Sequence, residues 1–388
     1  MWVRRLVVGF VAFAVALLVG CQGLSNHEPS SPLSAPLSAP SGEILYVVDN
    51  VSVTTYAIDP GTLEPSVAGG SVGLLSTSSS LLQFVPSPDD HFLYVLWSDN
   101  QQQEHLSTYA TDVSGVPQIP PLQVLNVSSL SQLNIHPSGE FGYAMQSDNS
   151  TATYISTLLL FHIKPSGIPQ PVPDAQGIYG PALMPTLLYG VNPEGTQLYL
   201  ESEDANGPMY WERTVNGQTG TLAVDVLLLR PPIRDSVVLG ATLIIDYQNA
   251  LDCSRPRYVN VFPNKPDPLQ PLIQCASAML SACGTATNVQ LDPSGNYLFL
   301  TDPASRQVRV GSINLPENAV TDTGNFLPFT AQTPGFAFSP DGTLVYALLA
   351  TDFSLHIFRF DQTSGNLVEG DASIPMPNSA GFSPALRR

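Results

Sequence analysis

Charge is scarce in this chain, and positive charge scarcer still. Charged residues make up 12% of the 388, with 14 Lys and Arg against 32 Asp and Glu, a formal net charge of −18. Such a surface cannot displace the counterions of a phosphate backbone, which argues against nucleic acid as a partner. Attraction to anionic lipid headgroups fails on the same ground. Long amphipathic helices need Glu, Lys and Arg on their wet face, and 36 prolines leave little room for them. Histidines at metal-binding spacing are also missing. Of six, His27, His91, His136, His162 and His356 stand as isolated residues, with no HxxxH, HExxH or Cys/His cluster, so neither metal nor cofactor is implied. Cysteine is sparse, at four residues. Cys253, Cys275 and Cys283 form an odd set, so one thiol stays free or pairs elsewhere; Cys253–Cys275 and Cys275–Cys283 are both open as disulfides. No activating group accompanies any of them, which argues against a catalytic thiol.

The fourth, Cys21, has an informative setting. Arg4 and Arg5 precede an apolar run from Leu6 to Val19, and Leu18-Val19-Gly20-Cys21 ends it. A basic start, a short apolar core and a small residue before cysteine look like a bacterial lipoprotein signal, with Cys21 the site of lipid attachment. Residues 1–20 are then expected to be removed. The leader takes two arginines and no acid, leaving 12 basic against 32 acidic residues and a net charge of −20. Residues 21–41 hold the lipidated cysteine and a Pro/Ser-rich tether with Leu-Ser-Ala-Pro twice in tandem. A coil of about 20 residues spans roughly 25 Å, enough to lift a domain off a lipid surface. Gln22 rather than Asp after the cysteine favours the outer membrane. The expected address is extracytoplasmic, attached to the membrane by lipid only.

From residue 42 to 388 one pattern recurs: a short apolar stretch, a Pro-x-Gly turn, a Leu-Tyr-Val-like run, a polar loop and a further alternation. The fullest copy is Phe336-Ala337-Phe338-Ser339-Pro340-Asp341-Gly342, followed by Leu344-Val345-Tyr346-Ala347 and Leu355-His356-Ile357-Phe358-Arg359-Phe360-Asp361. Copies centre on Pro88, Pro137, Pro193 and Pro293, and a degenerate one ends at Pro384. Intervals between them are 49, 56, 100, 47 and 44 residues; the long one is two periods, with a worn copy at Val237 to Asp246. Repeats of about fifty residues with four strands each predict an all-β, seven-bladed β-propeller with four-stranded blades. The first copy lacks its leading strand and the last has only that strand. Pairing of N- and C-terminal strands is expected to close the ring.

These repeats resemble the seven-bladed lactonase propellers, which include 6-phosphogluconolactonase-like enzymes, and the YVTN-type surface propellers. The resemblance covers Gly42 to Pro384 and rests on blade motifs such as Phe338 to Leu348. It implies Pro-Arg-His before an inner strand and Asn-Glu after Leu-Tyr-Val, converging on the central funnel. Here Ser131 and Gln132 stand at the Arg-His positions, and Gln146 and Ser147 at the Asn-Glu positions. Gly335 or Pro334 takes the arginine place near Pro340. A lactonase needs a proton-transfer group and a cation for the carboxylate or oxyanion, and neither stands at these positions, so no catalytic residue is assigned.

Two other patterns remain. Gly69-Gly70-Ser71-Val72-Gly73 spells a nucleophile elbow, but no helix follows it. The loop after each second strand carries a carboxylate: Asp49, Asp99, Asp148, Glu201 with Glu203 and Asp204, Asp246, Asp302 and Asp352. On one face of a propeller they would ring the funnel and suit a cation or basic peptide; as turn formers they would only shape loops. Trp97, Tyr210 and Trp211 near these loops could form an aromatic patch or join the core. The expected function is a monomeric binding module at the cell envelope, for an envelope protein or a small ligand; the alternative is a divergent lactonase-like hydrolase.

Overall fold

An apolar run without alternation, such as Ile44-Leu45-Tyr46-Val47-Val48, makes a stable strand only where both its faces are covered. The computed structural model places every run of this kind second in a sheet. The structure describes residues 43–49, 51–127, 129–148, 155–172, 184–191, 195–204, 207–223, 226–229, 235–239, 242–247, 258–263, 289–302, 305–314, 319–328, 336–349, 354–376 and 381–386.

The strands follow in groups. The first comprises β1 (Glu43–Val48), β2 (Ser52–Ile58) and β3 (Pro65–Gly73). Next come β4 (Ser80–Pro86), β5 (Phe92–Ser98), β6 (Glu104–Ala110) and β7 (Gln123–Val127), then β8 (Leu130–Ile135), β9 (Phe141–Asp148), β10 (Ile155–Ile163) and β11 (Pro169–Pro171). The fourth group is β12 (Met184–Val191), β13 (Gln197–Asp204), β14 (Gly207–Thr214) and β15 (Val226–Leu229); the fifth is β16 (Asp235–Leu239), β17 (Thr242–Tyr247) and β18 (Tyr258–Pro263). The sixth is β19 (Val289–Leu291), β20 (Tyr297–Asp302), β21 (Gln307–Asn314) and β22 (Ala319–Pro328). Last are β23 (Phe336–Phe338), β24 (Leu344–Leu349), β25 (Ser354–Asp361) and β26 (Asn366–Pro375), followed by β27 (Gly381–Leu386).

Among the described residues these strands form seven antiparallel sheets, the fifth three-stranded and the others four-stranded. The first sheet has the order β27-β1-β2-β3, with Glu43 opposite Leu386 and Val48 opposite Gly381. Leading strands touch in succession: β27 meets β4, β4 meets β8, β8 meets β12, β12 meets β16, β16 meets β19, and β23 meets β27. This is the architecture of a β-propeller.

Packing between blades explains the apolar runs. Ile44, Tyr46 and Val48 face Leu93, Val95 and Tyr109 of the next blade, while Leu45 and Val47 face Leu344, Tyr346 and Ile357 of the last one. Tyr94 and Leu96 of β5 turn the other way, onto Leu130, Leu133 and Phe161. Each such side chain contributes roughly 1.5–3 kcal/mol by leaving water.

The Pro-x-Gly turns join first and second strands in a repeated geometry. The residue before proline donates its N–H to the carbonyl five residues on: Ser87 to Phe92, His136 to Phe141, Asp292 to Tyr297 and Ser339 to Leu344, at 2.8–3.0 Å. Its own carbonyl accepts from the fourth turn residue, which takes a left-handed φ of 57° at Asp90 and 73° at Gly342. Polar anchors also cross between blades, as where the Tyr143 hydroxyl donates to Gly220 O at 2.7 Å and His136 Nε2 lies 2.8 Å from Gly195 O.

Candidate functional site

The leading strands β4, β8 and β12 are irregular at matching places. Register shifts fall between Leu81 and Gln83, between Ser131 and Asn134, and twice in β12, around Leu187 and Leu188. A bulge adds a residue on one side of a ladder and re-aims its neighbours' side chains. Here the re-aimed groups are glutamines. Gln83 bridges from β4 to β8, its Nε2 donating to Leu133 O at 2.8 Å and its Oε1 accepting from Leu133 N at 2.7 Å. One repeat later Gln132 reaches from β8 to β12, its Oε1 accepting from Leu188 N at 2.6 Å.

Beside these bridges lies a cavity of about 580 Å³, lined by Leu82, Gln83 and Leu96, by Glu104, by Leu130, Ser131, Gln132 and Asn134, and by Leu188. That volume is in the range of small-molecule sites. Glu104 opens β6, and its Oε2 accepts the Leu130 N–H at 2.5 Å. Asn134 donates Nδ2 to Gln132 O at 3.1 Å, and its Oδ1 occupies room that a side chain at Gly190 would fill, 2.9 Å from where a Cβ would stand. Among the described residues, Glu104 Oε1, Asn134 Oδ1, Ser131 Oγ and Gln132 Nε2 keep capacity for a ligand. Among the described residues the lining contains no Arg, Lys or His. These residues can therefore hold a polar molecule against a leucine wall, but they supply no cation for a carboxylate, phosphate or oxyanion.

No protein-family model matches this sequence, and no curated protein matches it. Solved structures do. A candidate 6-phosphogluconolactonase of Bacteroides uniformis is 15% identical, with a TM-score of 0.59 over 88% of this chain and 100% of that one. A second, from Bacteroides fragilis, is also 15% identical, with a TM-score of 0.54 over 90% and 100% of the two chains. The periplasmic gluconolactonase PpgL of Pseudomonas aeruginosa is 13% identical, with a TM-score of 0.51 over 89% and 99%. At these identities the likeness is one of fold.

Of the residues singled out in the sequence, Ser131 and Gln132 line the cavity. Those at the acidic loops fall differently. Asp49 Oδ1 accepts from Val51 N at 2.9 Å and Ser52 N at 2.6 Å, and its Oδ2 accepts from the Ser52 hydroxyl at 2.7 Å. Partial burial acts to raise its pKa, but these bonds outweigh it and hold the carboxyl below the ordinary range. Asp99 is held low by the Gln103 N–H, with help from Gln101 N and His105. Both carboxylates thus shape their own loops. The others are strand residues and not the loop residues expected: by backbone position Asp148, Asp204 and Asp302 end β9, β13 and β20, while Glu201 and Glu203 pair within β13 and Asp246 within β17. Asp352, Cys21, Cys253, Cys275 and Cys283 lie outside the described residues, as does His27. Among the described residues no three His, Cys, Asp or Glu side chains gather as a metal site.

Gly69 to Gly73 lie on strand β3, where Ser71 Oγ donates to Ser52 Oγ at 3.0 Å, so the elbow geometry is absent. Trp97 stacks on His105 at 4.3 Å and donates Nε1 to Ser107 Oγ, and Trp211 packs against the core. Gln83, Glu104, Asn134 and Leu188 escaped the sequence reading. The available signal was periodic: Gln83 and Gln132 each stand five residues before a repeat proline, 49 apart.

Proposed function

We propose that this chain is a binding propeller of the cell envelope, held to the membrane by lipid on Cys21 and carrying a small polar ligand in the cavity between β4, β8 and β12. The observation that carries this reading is the lining itself: hydrogen-bonding groups converge in a cavity of ligand size, and among the described residues no cationic or imidazole group accompanies them. The anchor part rests on the basic, apolar and Leu-Val-Gly-Cys sequence before residue 22. Residues 21–41 would then serve as the tether, and the propeller would offer the cavity to a ligand or an envelope protein. Outer-membrane attachment follows from Gln22 after the cysteine.

A second reading, a divergent lactonase-like hydrolase, is favoured by one side chain. Glu104 brings a carboxylate into the cavity and has a free oxygen that could act as a general base. The lactonase descriptions of the structural neighbours agree with it.

Incubating the purified soluble domain with glucono- and muconolactones separates the two. Ring opening at the uncatalysed rate is expected. Acceleration that disappears in Glu104→Gln would replace the binding reading with the hydrolase. For the anchor, Cys21→Ala is expected to leave the protein unprocessed and unlipidated in cell fractions; normal processing would refute the lipid attachment.

A further inference from the structure

We infer that the β4–β8–β12 cavity is built for a small ligand that carries an ammonium group among hydroxyls, with the ammonium seated on Glu104. The inference rests on the binding reading above and adds the chemistry of the ligand. Both ends of the Gln83 amide are engaged by the Leu133 backbone, which fixes the side chain. The Gln132 carbonyl oxygen accepts from Leu188 N, and its Nε2 has both hydrogens to donate. The Asn134 amide nitrogen gives one hydrogen to Gln132 O, and its Oδ1 remains to accept. Glu104 has one oxygen on Leu130 N and the other open, and Ser131 Oγ can act either way.

The one charged group among the described lining residues is therefore a carboxylate with an open oxygen, and no cation stands beside it there. A matching ligand must put a donor on that oxygen, as an amine or a hydroxyl can. Carboxylate and phosphate groups only accept, and they would meet Glu104 with no cation to offset it. Among donor-rich ligands, a protonated amine gains a charge-assisted bond to Glu104 that a neutral polyol does not. The net charge of −18 steers the same choice, drawing cations in and holding anions off. A quaternary ammonium has no N–H to give, and among the described residues no aromatic ring lines the cavity to cage it. Leu82, Leu96, Leu130 and Leu188 supply the wall for the carbon skeleton.

Three hexoses of one size test this by calorimetry at low ionic strength: glucosamine, glucose and glucuronate. Glucosamine is expected to bind roughly tenfold tighter than glucose, the margin of a charge-assisted bond over a neutral one, with glucuronate weakest. Glu104→Gln keeps an oxygen for the Leu130 N–H. It should reduce glucosamine to the level of glucose. Glucuronate binding as tightly as glucosamine, a glucosamine advantage that survives Glu104→Gln, or no binding by any of the three at millimolar concentration would overturn the inference. Lactone hydrolysis would overturn the binding reading instead, so the two failures are distinct.

Discussion

Glu43 is an acid where the fold has little room for charge. It opens β1, is buried to 6% exposure, and faces Tyr346, Ser339 and Asp341 of the last blade. Burial pushes its carboxyl up to about 8; the Tyr346 and Ser339 hydroxyls pull it down, and Asp341 adds to the rise. Its Oε1 has no well-formed hydrogen bond among the described residues. Nearby charge at that rim is otherwise turned to loops, with Arg359 on the Pro60 and Gly61 carbonyls and Asp59 accepting from Gly61 and Thr62 N–H groups. Between an unfolded value near 4.5 and a folded value of about 8, the native chain holds a proton that the unfolded chain has lost. The stabilisation is complete below the lower value and is lost as pH rises through the upper one. The depressed acids Asp49, Asp99, Asp341 and Asp361 act at lower pH and do not interfere. Melting temperature is therefore expected to fall between pH 5 and about pH 8, as stability drops by at most about 1.4 kcal/mol per pH unit. Glu43→Gln should flatten that slope; an identical profile in the variant would show that the proton resides elsewhere.

At the scale of elements, turns and bridges carry separate loads. Gly342 sits at φ 73° with Pro293 of the preceding blade 3.1 Å from where a Cβ would stand. Gly342→Ala is expected to cost about 1–2 kcal/mol in chemical denaturation, from the left-handed backbone alone. Gln83→Leu removes both side-chain bonds to Leu133 and leaves its N–H and C=O without them. A loss of about 1–3 kcal/mol is expected, and an unchanged unfolding midpoint would show that water replaces the bridge. These two sites differ in how plainly the sequence announces them. The turn is local: Ser339, Pro340, Asp341 and Gly342 make their bonds within five residues, so the motif is readable wherever it recurs. Even the worn copy from Val237 to Asp246 appears as β16 and β17. The glutamine bridges join positions 50 and 56 residues apart, through bulges that no local pattern encodes. Glu104 has no local signature, because its partner Leu130 lies on another blade. Asp49 and Asp99 fit both an acidic ring and turn chemistry by sequence, and the placement of their carboxylates shows turn bonds.

For the whole molecule, the first sheet is the place where chain order and spatial order part. β1 is the second strand of its sheet, and the strand before it arrives from the far end of the chain as β27. All six residues of β1 are buried, with one face against Leu93 and Val95 and the other against Tyr346 and Ile357. Without β27, an apolar strand would present an unpaired edge, a template for association with another chain. Ending the chain after Met376 is therefore expected to give a protein that melts at lower temperature, unfolds over a broader range and elutes partly as aggregate. Placing residues 377–388 ahead of residue 43 through a flexible linker should restore the sharp transition, because the sheet needs the strand and not its position in the chain. A truncated protein that remained monomeric with an unchanged midpoint would mean that the β1–β27 pairing adds little, and that contacts between neighbouring blades suffice to hold the first sheet in place.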